Sequence, residues 1–487
     1  MTALGIDPTQ VGWHLGTSRE PRGVDLWVPF DRTTGVIGPQ GSGKTLDLLT
    51  PALLHAPGAA LVTLTKVEDL LLSLPERSQG DRPCVVLDPF GLATGVIDEL
   101  VWDPISGCVD PKVAERRAKA FTAGTITGAL SQGTGDDAAR FYAAESAKVL
   151  QCLFHAAALT GRNLEQILGW IANPLGTSEP REILSQHPHA APMWSQLLIK
   201  ALTGDDRTAG NTITTVQQAM SLFFLPENLA RCVPGHGRKV TDIAEVIARG
   251  GTIYLLGRED PYASASPFMT AVAEHVLDVG LELANTSPYG RLCPPLTAVL
   301  DELPSTAPLP TLRTRMANER ALGLSFIWAS QTKAQLDAIF GELEARALIG
   351  LTNVLVIFGG SKDVAFNQEV SDLLGEVRVP RIRRHSKLGN TSYDGDDIPV
   401  ISRGEVRRIA ERHALVIAEN QRPILARLNR CIDGSRGKHL LAGQADLRAH
   451  LNTHLQSPER IHVRTTAAIE VAHELNLTPR QREGAQR

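Results

Sequence analysis

"TTGVIGPQGSGKTLDLLTPALLHA", residues 33–56, decides the fold. A β-branched run enters a glycine-rich turn, and a helical pattern leaves it. Residues 38–45, "GPQGSGKT", satisfy G-x-x-x-x-G-K-[ST] at every position. The glycines let backbone N–H groups turn inward around phosphates, and the helix behind them adds its positive end. Gly38, Pro39, Gln40, Gly41, Ser42, Gly43, Lys44 and Thr45 are therefore the candidate nucleotide-binding residues. Lys44 can reach the β- and γ-phosphates, and the Thr45 hydroxyl can ligate Mg2+. The plainer reading is a glycine-rich turn with a surface lysine. A strand before and a helix after favour the nucleotide.

Further apolar strands read at 59–65, 83–89, 251–257, 296–302, 324–331 and 353–359. Continuous β-branched runs separated by helical patterns suggest an α/β fold with a mostly parallel sheet covered on both faces. Strands at 414–429 lie close enough to pair as a hairpin. Between 110 and 248 strand signals almost vanish and helical spacing takes over, as at Val149, Leu150, Leu153 and Phe154. The expected division is a nucleotide-binding domain in two parts, 1–109 and 249–432, around an all-α insertion at 110–248. A polar tail, 433–487, is expected to be peripheral or partly disordered.

Composition removes several function classes. The 487 residues carry 49 Lys plus Arg against 53 Asp plus Glu, so nucleic-acid binding would need a local basic surface. Six scattered cysteines form neither a CxxC pair nor a zinc pattern, and read as buried thiols. His187 and His189 are too little for a metal site and read as loop. No apolar run approaches the length of a membrane span, and the first residues lack the pattern of a signal peptide. A cytoplasmic location is the expectation.

A nucleotide hydrolase needs a carboxylate on the metal side and a second one to activate water. "LTAVLDE", residues 296–302, offers both at a strand's carboxyl end, where α/β sheets place ligands. Asp301 is the candidate metal-side residue and Glu302 the candidate general base. Asp88 also ends a strand, but it lacks an adjacent acid and reads as a turn cap with Pro89. Gln331 ends the next strand, where its amide can orient water or sense the γ-phosphate. Arg313, Arg315 and Arg320 lie between. Spacing alone does not separate solvated helix arginines from an arginine offered to a neighbouring subunit's phosphate.

The ordered set "GPQGSGKT", "LVTLTK", "VVLDP", a helical insertion, "GTIYLLG", "LDELPSTAPLPTL", "GLSFIWASQT" and "VIFGGSKD" resembles the type IV coupling proteins, the TraG/TraD family of conjugation and type IV secretion. The resemblance runs from about residue 16 to 429. It implies a RecA-like P-loop ATPase core with an inserted all-α domain for substrate or partner recognition. It implies ATP and Mg2+, a homo-hexameric ring, and ATP-driven transfer of DNA, usually single-stranded and without sequence preference. The implied partners are relaxase or relaxosome proteins and the membrane components of the secretion channel. In the family pattern an arginine just before the strand bearing the glutamine serves the neighbour's site, which points to Arg320 and leaves Arg313 and Arg315 solvated. Most members begin with transmembrane helices, whereas this chain shows none. The expectation is a fragment, or a membrane-free form docking at the inner face of the cell membrane. Related RecA-like motors of chromosome segregation or type VII secretion remain an alternative, as does a nucleotide-gated adaptor with little turnover. For DNA contact the sequence offers only "RVPRIRRHSK", residues 378–387, which reads equally as a basic strand or hairpin edge.

Overall fold

The computed structural model describes residues 7–19, 22–127, 136–235, 237–257, 264–384 and 391–455. Its strands are β1 (Gly12–Ser18), β2 (Asp25–Pro29), β3 (Thr34–Ile37), β4 (Ala60–Leu64), β5 (Cys84–Leu87), β6 (Asp98–Glu99), β7 (Thr252–Leu256), β8 (Leu296–Leu300), β9 (Leu324–Ser330), β10 (Val354–Phe358), β11 (Glu376–Arg384), β12 (Thr391–Pro399), β13 (His413–Ala418) and β14 (Ile424–Arg427). Twelve of them form one sheet in the order β2-β1-β14-β13-β10-β3-β9-β8-β4-β7-β5-β6. From β10 to β6 every pairing is parallel. The hairpin β13–β14 then joins antiparallel, followed by β1 and β2.

The central parallel strands are buried because helices cover both faces. β3, β4, β7, β8, β9 and β10 show no exposed position. Alternate residues of each strand feed the two cores. Leu61 and Ile253 face one side; Val62 and Tyr254 face the other. The chain leaves β3 in one direction, to β4, and later fills the other side of β3 with β10. That reversal opens a crevice at the carboxyl end of β3, where such sheets bind ligands.

Between β6 and β7 the described residues are mostly helical. Asp110, Asn163, Asp205 and Asp242 each start a helix by accepting a backbone N–H with the side chain. An aromatic cluster ties these helices to helix Ser266–Thr286. Phe223 meets Phe268 at 4.8 Å, Trp102 meets Phe268 at 5.7 Å, and Phe121 meets Phe154 at 5.6 Å.

One expectation changes. Residues after 433 start as a helix, Gly434–Leu455, not as loose tail. It lies along helix Val67–Arg77 with Leu440 and Leu451 buried, and Gln444 donates to the Glu68 carbonyl. The rest of that tail lies outside the described residues. The basic stretch at 378–387 enters β11, which among the described residues pairs with β12 alone, the hairpin-edge reading of that stretch. Its register sets Arg378 opposite Asp397 and Arg381 opposite Asp394. Lys387 lies outside the described residues.

Arg77 is 2% exposed and ends helix Val67–Arg77. It donates to the carbonyls of Ala56 and Gly58 at 2.7 and 2.8 Å and to Thr252 Oγ1 at 2.8 Å. One guanidinium thus satisfies the turn entering β4 and the start of β7. Removing it strands those acceptors, so Arg77→Met is expected to cost about 3 kcal/mol in urea denaturation. A loss below about 0.5 kcal/mol, the range of an ordinary surface change, would show that the turn holds without it.

Candidate functional site

Residues 38–45 turn from β3 into the helix behind them, with Gly41 and Gly43 at φ +77° and +96°. A side chain at Gly43 would be strained on φ alone, and a Cβ there would meet Asp47 Oδ2 at 2.3 Å. Lys44 is 5% exposed and folds back onto its own loop. Its Nζ donates to the Gly38 carbonyl at 2.6 Å and the Pro39 carbonyl at 3.3 Å.

β8 brings the carboxylates to the same place. Thr45 Oγ1 donates to Asp301 Oδ2 at 3.0 Å, across 256 residues of chain. Thr63 Oγ1, on the neighbouring β4, donates to the Asp301 carbonyl at 2.8 Å and fixes the strand end. Glu302 Oε1 lies 3.7 Å from Lys44 Nζ. Glu302 takes φ +50° and ψ 46°, a left-handed conformation that a non-glycine residue adopts at a cost of about 1 kcal/mol. This turn sets its carboxylate beside the phosphate loop instead of down the next helix. Asp301 Oδ1 and Glu302 Oε2 are buried with no hydrogen-bond partner in the protein.

One cavity of about 540 Å³ gathers the loop from Gln40 to Thr45 with Asp69, Asp301, Glu302 and Gln331. Gly38 and Pro39 stand behind it as the carbonyls that hold Lys44. The fit to a hydrated divalent cation rests on the donor set: a hydroxyl on a carboxylate, and two further carboxylate oxygens buried without partners. Asp88 does not line this cavity. Its Oδ2 accepts the Ala93 N–H at 2.7 Å, a turn-capping role.

Arg320 is elsewhere. It sits in the turn Arg320–Leu322 at the amino end of β9, with Nη1 on Asn353 Oδ1 at 2.8 Å. Gln331 follows the carboxyl end of the same strand. Seven strand residues separate the two ends by about 20 Å, so Arg320 does not join its own chain's cavity. Arg313 is exposed and pairs with Glu344. Arg315 corrects the expectation of a solvated side chain: it is 4% exposed and held by Glu274, Asp278 and Glu319. Helix spacing turned it inward against helix Ser266–Thr286, which the sequence around it does not disclose.

Arg430 is a site residue that the motifs miss. It lines the cavity from the loop after β14, beside Glu411. Its Nε and Nη2 grip the buried Asp47 at 2.6 and 3.2 Å. Cys431 N–H donates to the Leu46 carbonyl at 2.9 Å alongside. The available signal was the acid itself: Asp47, two residues past Thr45 in an apolar helix, needs a cation once buried.

Burial, and then the charge of Glu302, push the Asp301 carboxyl up to about 6, against the Thr45 hydrogen bond and the Lys44 charge. Its folded value therefore exceeds the unfolded 3.8. The ionised form costs stability fully above about pH 6, and the cost vanishes below about pH 4. Without nucleotide, Asp301→Asn is expected to raise stability at pH 7.5 by about 3 kcal/mol or less and to leave it unchanged near pH 4. Melting curves at the two pH values check this; a variant that melts lower at pH 7.5 contradicts it.

Residues 295–411 match the family model described as the TraM recognition site of TraD and TraG. No curated protein sequence matches the chain. Among solved structures, the unbound bacterial conjugative coupling protein TrwBdeltaN70 superposes with a TM-score of 0.62 at 22% identity, covering 83% of this chain and 86% of that one. Plasmid coupling protein TrwB in complex with ADP and Mg2+ gives 0.59 at 21% identity, over 83% and 87%. The same protein with a non-hydrolysable ATP analogue gives 0.58 at 21% identity, over 82% and 86%. At this identity the structures speak for a common fold, the α/β core with its mostly parallel sheet and helical domain. Taken with the matched segment, they bear out the resemblance to the type IV coupling proteins of the TraG/TraD family.

Proposed function

We propose that this chain is an Mg-ATP-hydrolysing coupling protein that works as a hexameric ring and drives DNA, carried by a relaxase, toward a type IV secretion channel. The observation that carries the proposal is the contact of Thr45 with Asp301 inside the cavity that also holds Lys44 and Glu302. Three strand ends there converge on the donors that a nucleotide triphosphate needs.

Each residue has a role in this reading. The loop N–H groups and Lys44 bind the phosphates, Lys44 exchanging the Gly38 carbonyl for phosphate oxygens. Thr45 and Asp301 hold Mg2+, which when bound draws charge off the phosphates. Glu302 takes the proton from the attacking water, and Gln331 orients that water. Arg320 reaches the nucleotide of a neighbouring copy, because its own lies at the far end of β9. The helices between 110 and 248 read the partner. The matched description names a TraM recognition site within residues 295–411, which supports contact with a DNA-processing complex. No described helix is long and apolar enough to cross a membrane.

ATP turnover with and without single-stranded DNA tests the proposal. Stimulation by DNA is expected, falling as salt rises. Glu302→Gln is expected to lower kcat by about 10²- to 10⁴-fold with nucleotide binding retained. No stimulation at any protein concentration, together with an undiminished rate in Glu302→Gln, would sink the motor reading.

A further inference from the structure

We propose that Arg315 is a positioning residue for Arg320, and that through it Arg315 governs hydrolysis in the neighbouring copy more than in its own. The inference rests on the trans role of Arg320 proposed above.

Arg315 lies in helix Leu312–Asn318 and meets three carboxylates at once. Nη2 donates to Glu274 Oε2 at 2.8 Å and to Asp278 Oδ1 at 2.5 Å. Nε donates to Thr311 Oγ1 at 2.6 Å and to Glu274 Oε2 at 3.1 Å. Nη1 donates to both Glu319 oxygens, at 3.1 and 3.3 Å. Glu274 and Asp278 stand one turn apart on helix Ser266–Thr286, so a single planar fork can take both. Gathering three acids around one buried cation is a poor route to stability. It is a good route to fixing one geometry, since a misplaced fork leaves charges unpaired.

The geometry fixed is that of the next residue. Glu319 caps helix Leu312–Asn318, its N–H donating to the Arg315 carbonyl at 2.7 Å. Its own carbonyl accepts the N–H groups of Leu322 at 2.9 Å and Leu324 at 3.4 Å. The turn bearing Arg320 therefore hangs on Glu319 by its backbone, while Arg315 holds the Glu319 side chain. At the other end the Arg320 guanidinium rests on Asn353 Oδ1, which also accepts the Thr33 N–H at 3.1 Å. In the opposite direction the chain runs back to Glu302 through Leu303, Ala307, Leu309 and Leu312, each at most 1% exposed. The carboxylate end of one site and the arginine meant for the next are thus one packed piece. Arg116 also faces Asp278, at 3.8 Å, but it is largely exposed and contributes little.

Mixed assemblies test this. Glu302→Gln subunits have a dead site and an intact Arg320; Arg315→Met subunits have an intact site and a misplaced Arg320. Alone, Arg315→Met is expected to lose about 100-fold in kcat, the scale of an ångström-level misplacement, with little change in KM. Reassembled together, the two variants are expected to turn over ATP well above either alone. Arg320→Ala mixed with Glu302→Gln is run in parallel. Recovery with Arg320→Ala but none with Arg315→Met overturns the inference and leaves the trans arginine standing. Recovery with neither overturns both. If Arg315→Met does not fold by its melting curve, Glu319→Gln takes its place in the same mixture, where recovery supports the inference and its absence overturns it.

Discussion

The hydrogen bond from Thr45 to Asp301 is the constraint on which this molecule turns. It joins the helix after β3 to the end of β8, two strands away, and it requires both strand ends to lie level. The sheet meets that demand through register. β9 sits between them, paired with β3 and β8 over buried residues on both sides. A slip of one residue would turn every side chain to the opposite face and move Asp301 out of the cavity. The buried runs of the central strands are thus what hold two acids beside a lysine.

The site is costly to the fold. Asp301 and Glu302 are adjacent acids in a partly dry crevice, and each leaves one oxygen without a protein partner. Glu302 is also held in a left-handed backbone conformation. Such costs persist where the surroundings over-determine them. Here the surroundings are Thr63 on the Asp301 carbonyl and the buried residues that follow Glu302. Arg430 gives comparable support on the other side, pinning the loop after β14 to the helix of the phosphate loop.

Much of this was legible in the sequence, and what was not has a common cause. The phosphate loop, the strand-end acids and the helical insertion are written in local patterns: fixed spacing, continuous apolar runs, helical periodicity. The resemblance to coupling proteins, read from motif order, is borne out by the matched segment and the fold. Arg315 and Arg430 were not legible because their meaning lies in distant partners. Glu274 is 41 residues from Arg315, and Asp47 is 383 residues from Arg430. The helix Gly434–Leu455 was missed for a related reason. It buries few residues, among them Leu440 and Leu451, so its apolar stripe is too thin to read. The basic stretch before residue 388 reads equally as a hairpin edge, and β11 does pair with β12.

The most direct test of the central claim is a structure of the protein with Mg2+ and a non-hydrolysable ATP analogue. The account predicts Mg2+ at about 2.1 Å from Thr45 Oγ1, Asp301 on its metal side, and Glu302 and Gln331 facing the γ-phosphate. It predicts Lys44 moved from the Gly38 carbonyl onto phosphate oxygens. Nucleotide bound outside this cavity, or Asp88 in place of Asp301 at the metal, would contradict it.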